Sequence, residues 1–319
     1  MFHFKRESKV YLVYAGNQYR LDIGDIRFAQ NFNEIQYSNK SIQSELMFWQ
    51  SSLYQATPAS WNIRIPLLQE SDLKVLFNRV LDYKPFDIYV DTGKSIFKIE
   101  YAVVTNGIFI ITRNRTLQME TSGQASRISK VTSIPGAVKA RSSNRTYAKI
   151  DVLNVTMDGV EDLTHFTAFT VEIQNRVQWI PYNALDHGLV AIDGNSVQFP
   201  QEYVVTDRTV AGTIERHKVE GHTFSRDTNL LIEAGDLNNG DFFGVRFNLP
   251  NVSFTARLGT SMVFTEAFDW RLTYNPDYLG EIIEYVTDLT AGGSIEAAIL
   301  DYLDNPILDS NDQPILESF

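Results

Sequence analysis

The chain has 319 residues, 44% of them hydrophobic, with 20 Phe and 15 Tyr. That length exceeds what one core ordinarily covers and fits two domains, with enough apolar area to fill both. There is no Cys, which excludes disulfides, thiolate catalysis and cysteine-ligated zinc. The net charge of −11 is unevenly placed: residues 1–140 hold 17 Lys and Arg against 12 Asp and Glu, whereas residues 276–319 hold ten acidic side chains and no basic one. A surface built to neutralise phosphates needs excess cations, so this balance argues against nucleic-acid binding. No apolar run approaches the roughly 18 residues of a membrane-spanning helix, and the opening Met1-Phe2-His3-Phe4-Lys5-Arg6 lacks the apolar stretch of a signal peptide.

In chain order, β-branched and aromatic residues predict strands at Lys9 to Tyr14 and Gln18 to Ile23. From Ser38 to Thr57 the sequence is rich in Asn, Ser and Gln around Leu46, Met47, Phe48 and Trp49, and it reads as a long loop, either folded back on its own core or meeting a neighbouring subunit. A strand at Trp61 to Ile65 precedes a helix over Ser71 to Leu81, where Leu73, Leu76, Phe77, Val80 and Leu81 form one apolar stripe. Ser71 or Asp72 can cap its start, and Pro85 bars its continuation. A strand Phe86 to Val90 leads through a polar turn, Asp91-Thr92-Gly93-Lys94-Ser95, to strands at Ile96 to Val104 and Ile108 to Glu120, with Asn106-Gly107 read as a hairpin turn. The polar turn resembles the end of a phosphate-binding loop but has Ile88 where that loop needs Gly.

The stretch from Ser133-Ile134-Pro135-Gly136 to Asn144 is polar and broken by Pro and Gly, and marks a boundary between residues 1–140 and 141–275. Further strands are expected at Tyr147 to Met157, Leu163 to Ile180, Leu189 to Ile192, Ser196 to Phe199 and Thr209 to Lys218, with Asp193-Gly194 as a turn. A short helical segment is expected over Asp227 to Leu237, then strands from Phe243 to Phe247 and Val252 to Tyr274. The order repeats: Ala59-Ser60-Trp61-Asn62-Ile63-Arg64-Ile65 aligns with Val210-Ala211-Gly212-Thr213-Ile214-Glu215-Arg216, and Phe86 to Val90 with Phe243 to Phe247. Residues 276–319 form an acidic extension, read either as a solvated tail or as an arm for the more basic first module of a neighbour.

Alternation gives each sheet one polar face. Thr112, Asn114, Thr116, Gln118 and Glu120 share one face; Glu172, Gln174, Arg176 and Gln178 alternate with Val171, Ile173, Val177 and Trp179; Asp269 and Arg271 alternate with Phe268, Trp270 and Leu272. These faces are either exposed to solvent or turned into a bore. Chemical motifs are few: the five histidines are scattered, with only His217 and His222 near one another, and no nucleophile elbow occurs. No catalytic residue, metal or cofactor is expected.

The sequence Trp61 to Ile65, Ser71 to Leu81, Phe86 to Gly93 and Ile96 to Glu120 resembles, in element order, the tail tube proteins of long-tailed bacteriophages, and its doubling resembles their two-domain form. The resemblance implies a mainly β chain of two tandem antiparallel β-sandwich domains, each with a short α-helix and with strands joining a closed ring. It implies a virion protein assembled in the host cytoplasm, in which trimeric, pseudo-hexameric rings stack into a tube beside other tail proteins. DNA would pass the lumen without specific binding. It further implies lumen-lining roles for Thr112, Asn114, Thr116, Gln118, Glu120, Glu172, Gln174, Gln178, Asp269 and Arg271, and ring stacking by Leu46, Met47, Phe48 and Trp49. A distal-tail or terminator ring, and a two-domain module binding carbohydrate or protein, are the alternatives the residues leave open.

Overall fold

The computed structural model describes residues 8–40, 47–67, 72–112, 116–139, 152–157, 165–180, 190–192, 197–217, 228–238, 241–260, 264–273, 283–286, 297–298 and 316–317. The chain is mainly β. Its first strands are β1 (Lys9–Tyr14), β2 (Asn17–Leu21), β3 (Asp25–Ala29), β4 (Phe32–Lys40), β5 (Met47–Ala56) and β6 (Ala59–Pro66). The helix α1 (Asp72–Asp82) follows, then β7 (Phe86–Asp91), β8 (Ile96–Thr112), β9 (Gln118–Ala125), β10 (Arg127–Val131) and β11 (Ala137–Val138). Next come β12 (Val152–Met157), β13 (Phe166–Trp179), β14 (Val190–Ile192), β15 (Val197–Pro200), β16 (Tyr203–His217), β17 (Thr228–Asn238), β18 (Asp241–Thr260) and β19 (Phe264–Leu272). The last are β20 (Ile283–Val286), β21 (Ala297–Ala298) and β22 (Leu316–Glu317).

Two long strands organise the rest. In β8, residues Ile96 to Ala102 pair with β7, and β10 lies on their other side; residues from Val103 onward pair with β9 and, from Asn106, with β13. In β18, residues up to Val252 pair with β17, and those from Val252 onward pair with β19. Each strand turns at a non-glycine residue with positive φ, Tyr101 (58°) in β8 and Asn251 (59°) in β18. A strand that bends this way serves two sheet segments and folds one over the other. Between them lies a continuous apolar core containing Val10, Ile88, Trp61, Ile63, Phe109, Val171, Ile214, Phe247 and Trp270. Edge contacts across it include Trp61 on Phe86 (5.8 Å between centroids) and Phe109 on Phe247 (5.1 Å).

The helix forms where its periodicity predicts it. Leu76, Phe77 and Val80 are buried, and Phe77 lies 5.2 Å from the Phe109 ring. Arg79 on the same helix is buried too, its guanidinium over the Tyr14 ring and paired with Asp82 at 2.6 Å.

Four expectations need correction. Asn106-Gly107 is not a turn: both lie within β8, whose register against β9 slips by one residue between Val104 and Asn106. Glycine lets β8 approach the helix closely there: a Cβ on Gly107 would come 3.0 Å from Val80 Cγ1, a tight contact that the valine side chain would have to yield to. The reversal comes later: Ile108 to Glu120 is not one strand, because Ile110 pairs with Gln118 across the β8–β9 hairpin. Ser38 to Thr57 is not a loop either; its described residues up to Ala56 belong to β4 and β5, paired from Phe32↔Ala56 to Lys40↔Met47. Backbone pairing overrides the weak strand propensity of Asn, Ser and Gln. Finally, the helix expected over Asp227 to Leu237 is strand β17. Leu230, Ile232, Ala234 and Asp236 are buried in alternation, the period of a strand. Phe86 to Val90, expected to align with Phe243 to Phe247, lie in β7 and pair with β8, whereas Phe243 to Phe247 lie in β18 and pair with β17.

The polar turn after β7 is a turn: the Thr92 amide donates to Ser95 O (3.0 Å) and the Gly93 amide to Asp91 Oδ1 (2.8 Å), with Gly93 at φ 75°. The strands flanking Asp193-Gly194 pair antiparallel, Ala191 with Phe199. Part of the acidic extension joins the sheet, as Ile283–Val286 pairs with β18 from Phe247↔Ile283 to Gly244↔Val286.

The halves of the chain meet along the antiparallel ladder of β8 and β13, from Thr112↔Ala168 to Asn106↔Gln174. At its end Asn175, 3% exposed, donates to Val80 O (2.9 Å) and Val104 O (3.2 Å) and accepts from Arg208 Nε (2.8 Å). Helix, β8, β13 and β16 thus share one buried amide. Replacing Asn175 by Leu removes both donors and strands two buried carbonyls, so an unfolding free energy lower by roughly 1–3 kcal/mol is expected from urea denaturation; an unchanged midpoint would contradict this account of the joint.

Candidate functional site: a polar face across eight strands

The strands β3, β6, β9, β8, β13, β16, β19 and β18 are hydrogen-bonded neighbours in that order. Antiparallel partners point to the same side, so the registers define one face row by row. One row runs Arg64, Glu120, Ile108, Glu172, Ala211, Arg271 and Ser253. The next runs Pro66, Gln118, Ile110, Thr170, Thr213, Asp269 and Thr255. Alternate residues of the same strands, Ile63, Met119, Phe109, Val171, Gly212, Trp270 and Phe254, line the core side. Strict alternation in Ser60-Trp61-Asn62-Ile63-Arg64-Ile65, and a looser one in Thr209 to Glu215 where Ala211 takes a polar-face position, produces this segregation.

The described lumen candidates fall on this single face. Thr112 ends β8, Gln118 and Glu120 lie on β9, Glu172, Gln174 and Gln178 on β13, and Asp269 and Arg271 on β19. Thr112, Thr116, Gln118 and Glu120 line one shallow recess with Arg64 and Ile110. Asn114 lies outside the described residues. Of the proposed stacking residues, Met47, Phe48 and Trp49 are in β5, opposite Lys40, Asn39 and Ser38, and Leu46 lies outside. The β4–β5 hairpin does not stand alone: β15 pairs with β5 in parallel, Val197 with Tyr54 and Gln198 with Gln55, giving a four-stranded sheet β14-β15-β5-β4. His217 ends β16, exposed, and His222 lies outside the described residues.

Charge on the face is nearly balanced. Asp25, Glu120, Glu172, Asp207, Glu215 and Asp269 stand with Arg27, Arg64, Arg176, Arg257 and Arg271. Most are held by neighbours on the face. Glu120 accepts from Asn62 Nδ2 (2.9 Å) and Arg64 Nη2 (3.3 Å). Glu172 Oε1 accepts from Asn106 (2.9 Å) and Gln174 (2.8 Å). Asp269 pairs with Arg257 (2.8 Å), Asp25 with Arg27 (3.3 Å) and Asp207 with Arg176 (3.6 Å). The Thr170 and Thr213 hydroxyls meet at 2.7 Å. Such exposed pairs add little stability; their consequence is a face of dipoles and largely paired charges, with no cationic strip among the described residues.

Sequence reading missed Asp25, Arg27, Asn62, Arg64, Thr170, Thr213, Glu215 and Arg257 as members of this face. A signal existed for several: Asp25-Ile26-Arg27-Phe28 alternates polar with apolar as clearly as the stretches that were recognised. Among the described residues there is no helix long and apolar enough to cross a membrane, and no group of three or more His, Asp and Glu that could hold a metal ion.

No protein-family model and no curated protein matches the chain.

Hydrogen bonding from Asn62 is the largest influence on the Glu120 carboxyl; burial opposes it, and the Arg64 contact helps to hold the group below the ordinary glutamate range. A depressed folded-state pKa contributes stability above the unfolded value and loses it as pH falls through the folded value. Carboxyl-carbon NMR titration is therefore expected to place Glu120 below a free glutamate and to return it upward in Asn62→Ala; an unmoved midpoint in that variant would dismiss the Asn62 contact as the cause.

Proposed function

We propose that this chain is the subunit of a tail tube like those of long-tailed bacteriophages: a structural protein whose copies close into rings, the rings stacking into a conduit for DNA. The observation that carries the reading is a single, mainly polar face that continues over eight strands, four from each half of the chain, with Ile108, Ile110 and Ala211 as apolar positions within it. Full closure of such a sheet around an axis removes its edges and leaves a hydrophilic bore.

Equivalences between the halves support the duplicated-domain part of the proposal. The order β3-β6-β9-β8 is matched by β13-β16-β19-β18, β7 beside β8 by β17 beside β18, and β10 on β8 by β20 on β18. The match extends to single residues. Tyr101 and Asn251 occupy corresponding bends; the Tyr101 amide donates to Asp87 Oδ1 (2.9 Å) on β7 and the Asn251 amide to Asn229 Oδ1 (3.1 Å) on β17. In this reading β20 completes the second domain, and the hairpins β4–β5 and β14–β15 are the corresponding arms, from which the ring-stacking contacts of Met47 to Trp49 would be made.

The near balance of charge suits passage without capture. Counterion release needs a cationic partner for each phosphate, and here four of the five guanidinium groups, those of Arg27, Arg64, Arg176 and Arg257, face carboxylates. Three chains per ring, and contacts with other tail proteins, remain what the family resemblance implies for this assembly. Negative-stain electron microscopy of the purified protein is expected to show hollow tubes or stacked rings. A monomer at all concentrations would sink the proposal, and closed rings that never stack would move it to a terminal ring. In an assembled tail, Gln118→Arg with Gln174→Arg, both on exposed positions, is expected to leave tubes intact while lowering DNA delivery; unchanged infectivity would remove these residues from the lumen.

A further inference from the structure

The eight-strand sheet has two ends. At one, β3 pairs with β6 alone; at the other, the outer segment of β18, residues 253–260, pairs with β19 alone. Among the described residues no strand covers the second edge of either. The two edges have counterparts inside the same chain: β3 corresponds to β13 and the outer part of β18 to the outer part of β8, and β8 and β13 are joined. The chain therefore shows what each free edge fits.

We infer that the outer edge of β18 pairs antiparallel with β3 of a second copy of this chain, in the register that β8 and β13 use within it. The register follows residue by residue. Trp61↔Gly123 and Gly212↔Trp270 are the same cross-strand position in the two halves, which sets Phe28 on β3 equivalent to Val171 on β13. On the other side, allowance for the extra residue in β8 at Thr105 sets Leu258 equivalent to Phe109. Because Phe109 faces Val171, Leu258 faces Phe28 of the next copy, and Arg257 faces its Ala29.

Burial supports the match. Phe109 is 1% exposed and Val171 fully buried, whereas Leu258 is 61% exposed. Phe264, opposite Thr260 at the same end, is 58% exposed, while its counterpart Leu117 is 1% exposed. These are large apolar side chains on the core side of the sheet, exposed at an edge that no described strand covers. Phe109 rests on Phe247, and the counterpart of Phe247 beside β3 is Phe97, 6.0 Å from Phe28. Leu258 thus has a ready apolar seat.

The absence of cysteine makes the register directly testable. Ala29→Cys with Arg257→Cys places both thiols at exposed positions, and seven strand spacings of about 4.8 Å put them roughly 34 Å apart along one chain. A disulfide needs Cα atoms within about 7 Å, so it can form between copies only. Oxidation of the assembled protein is expected to give a covalent ladder on a non-reducing gel. The control Ala29→Cys with Thr255→Cys, a diagonal pair, should link at least about tenfold more slowly. Leu258→Glu should keep the monomer's circular dichroism and melting temperature while raising the concentration needed for assembly by about tenfold or more.

The inference rests on the reading of this chain as a self-associating ring subunit, yet the two fail separately. Rings or tubes with no 29–257 link, or with faster linkage of the 29–255 pair, would overturn the register and leave the tube reading standing. A ladder in closed rings that never stack would uphold the pairing and overturn the tube. A protein that stays monomeric and unlinked would overturn both.

Discussion

Everything else in this fold depends on a left-handed bend in each of two long strands. A straight strand of the length of β18 would run about 66 Å, far beyond a small domain, and would leave both faces in water. Tyr101 and Asn251 each adopt positive φ, which costs a non-glycine residue on the order of 1–3 kcal/mol. Asn tolerates that conformation better than Tyr, yet both bends are held in the same way. An Asp or Asn side chain on the adjacent strand takes up the amide turned out of the ladder. That side chain sits where the register skips, between Phe86 and Ile88 in one case and Thr228 and Leu230 in the other. Bulge, cap and bend form one device, and it lets a single strand close a core between two sheet segments.

Inside that core, a second constraint is met in opposite senses. Trp61 on β6 stands across from Gly123 on β9; on β16 and β19, which the proposed duplication makes their counterparts, Gly212 stands across from Trp270. A Cβ on Gly123 would lie 2.5 Å from Trp61 Cζ2 and would also meet the Val103 carbonyl; one on Gly212 would lie 2.5 Å from Trp270 Cζ2 and meet the Thr170 carbonyl. The pair fixes a sum of volumes rather than the identity of either residue, as packing at interior density requires. One difference remains: the Trp61 indole N–H donates to Gln124 O (3.1 Å), and that of Trp270 is buried without an acceptor among the described residues.

That exchange also explains what the sequence could and could not disclose. Aligning Trp61 with Gly212 looks like a mismatch until the partner strand is known, and partner strands are set by contacts far apart in the chain. Local periodicity was enough for α1, for β1, β2, β6 and β7, and for the alternation that separates Glu172 and Asp269 from Val171 and Trp270. It failed where local signals compete. Gly107 carries the sign of a turn but serves helix packing, and the segment 227–237 holds strand periodicity that a short helix-like composition obscured. For Ser38 to Thr57 the propensity is weak throughout, and only the β4–β5 pairing reveals strands. The polar face was legible in pieces; its continuity was not, because it depends on β8 meeting β13.

Continuity is what turns an ordinary wet surface into a functional argument. A lone sheet with one polar face needs only water. Eight consecutive strands presenting one such face, with carboxylates matched to guanidinium or amide donors within the face itself, carry little net field over a wide area. On the proposed reading, a phosphate backbone moving along such a lining meets fixed dipoles and bound water rather than unpaired cations, so contacts form and break at small cost. Replacing even a few neutral positions by cations would change the sign of that balance, since each added cation can release a counterion and hold a phosphate. The same reasoning separates the face from the outer end of β18, where the exposed groups are apolar and the core side, not the polar side, lacks its cover. One sheet thus carries two different demands: water on one face, and another strand at its edge.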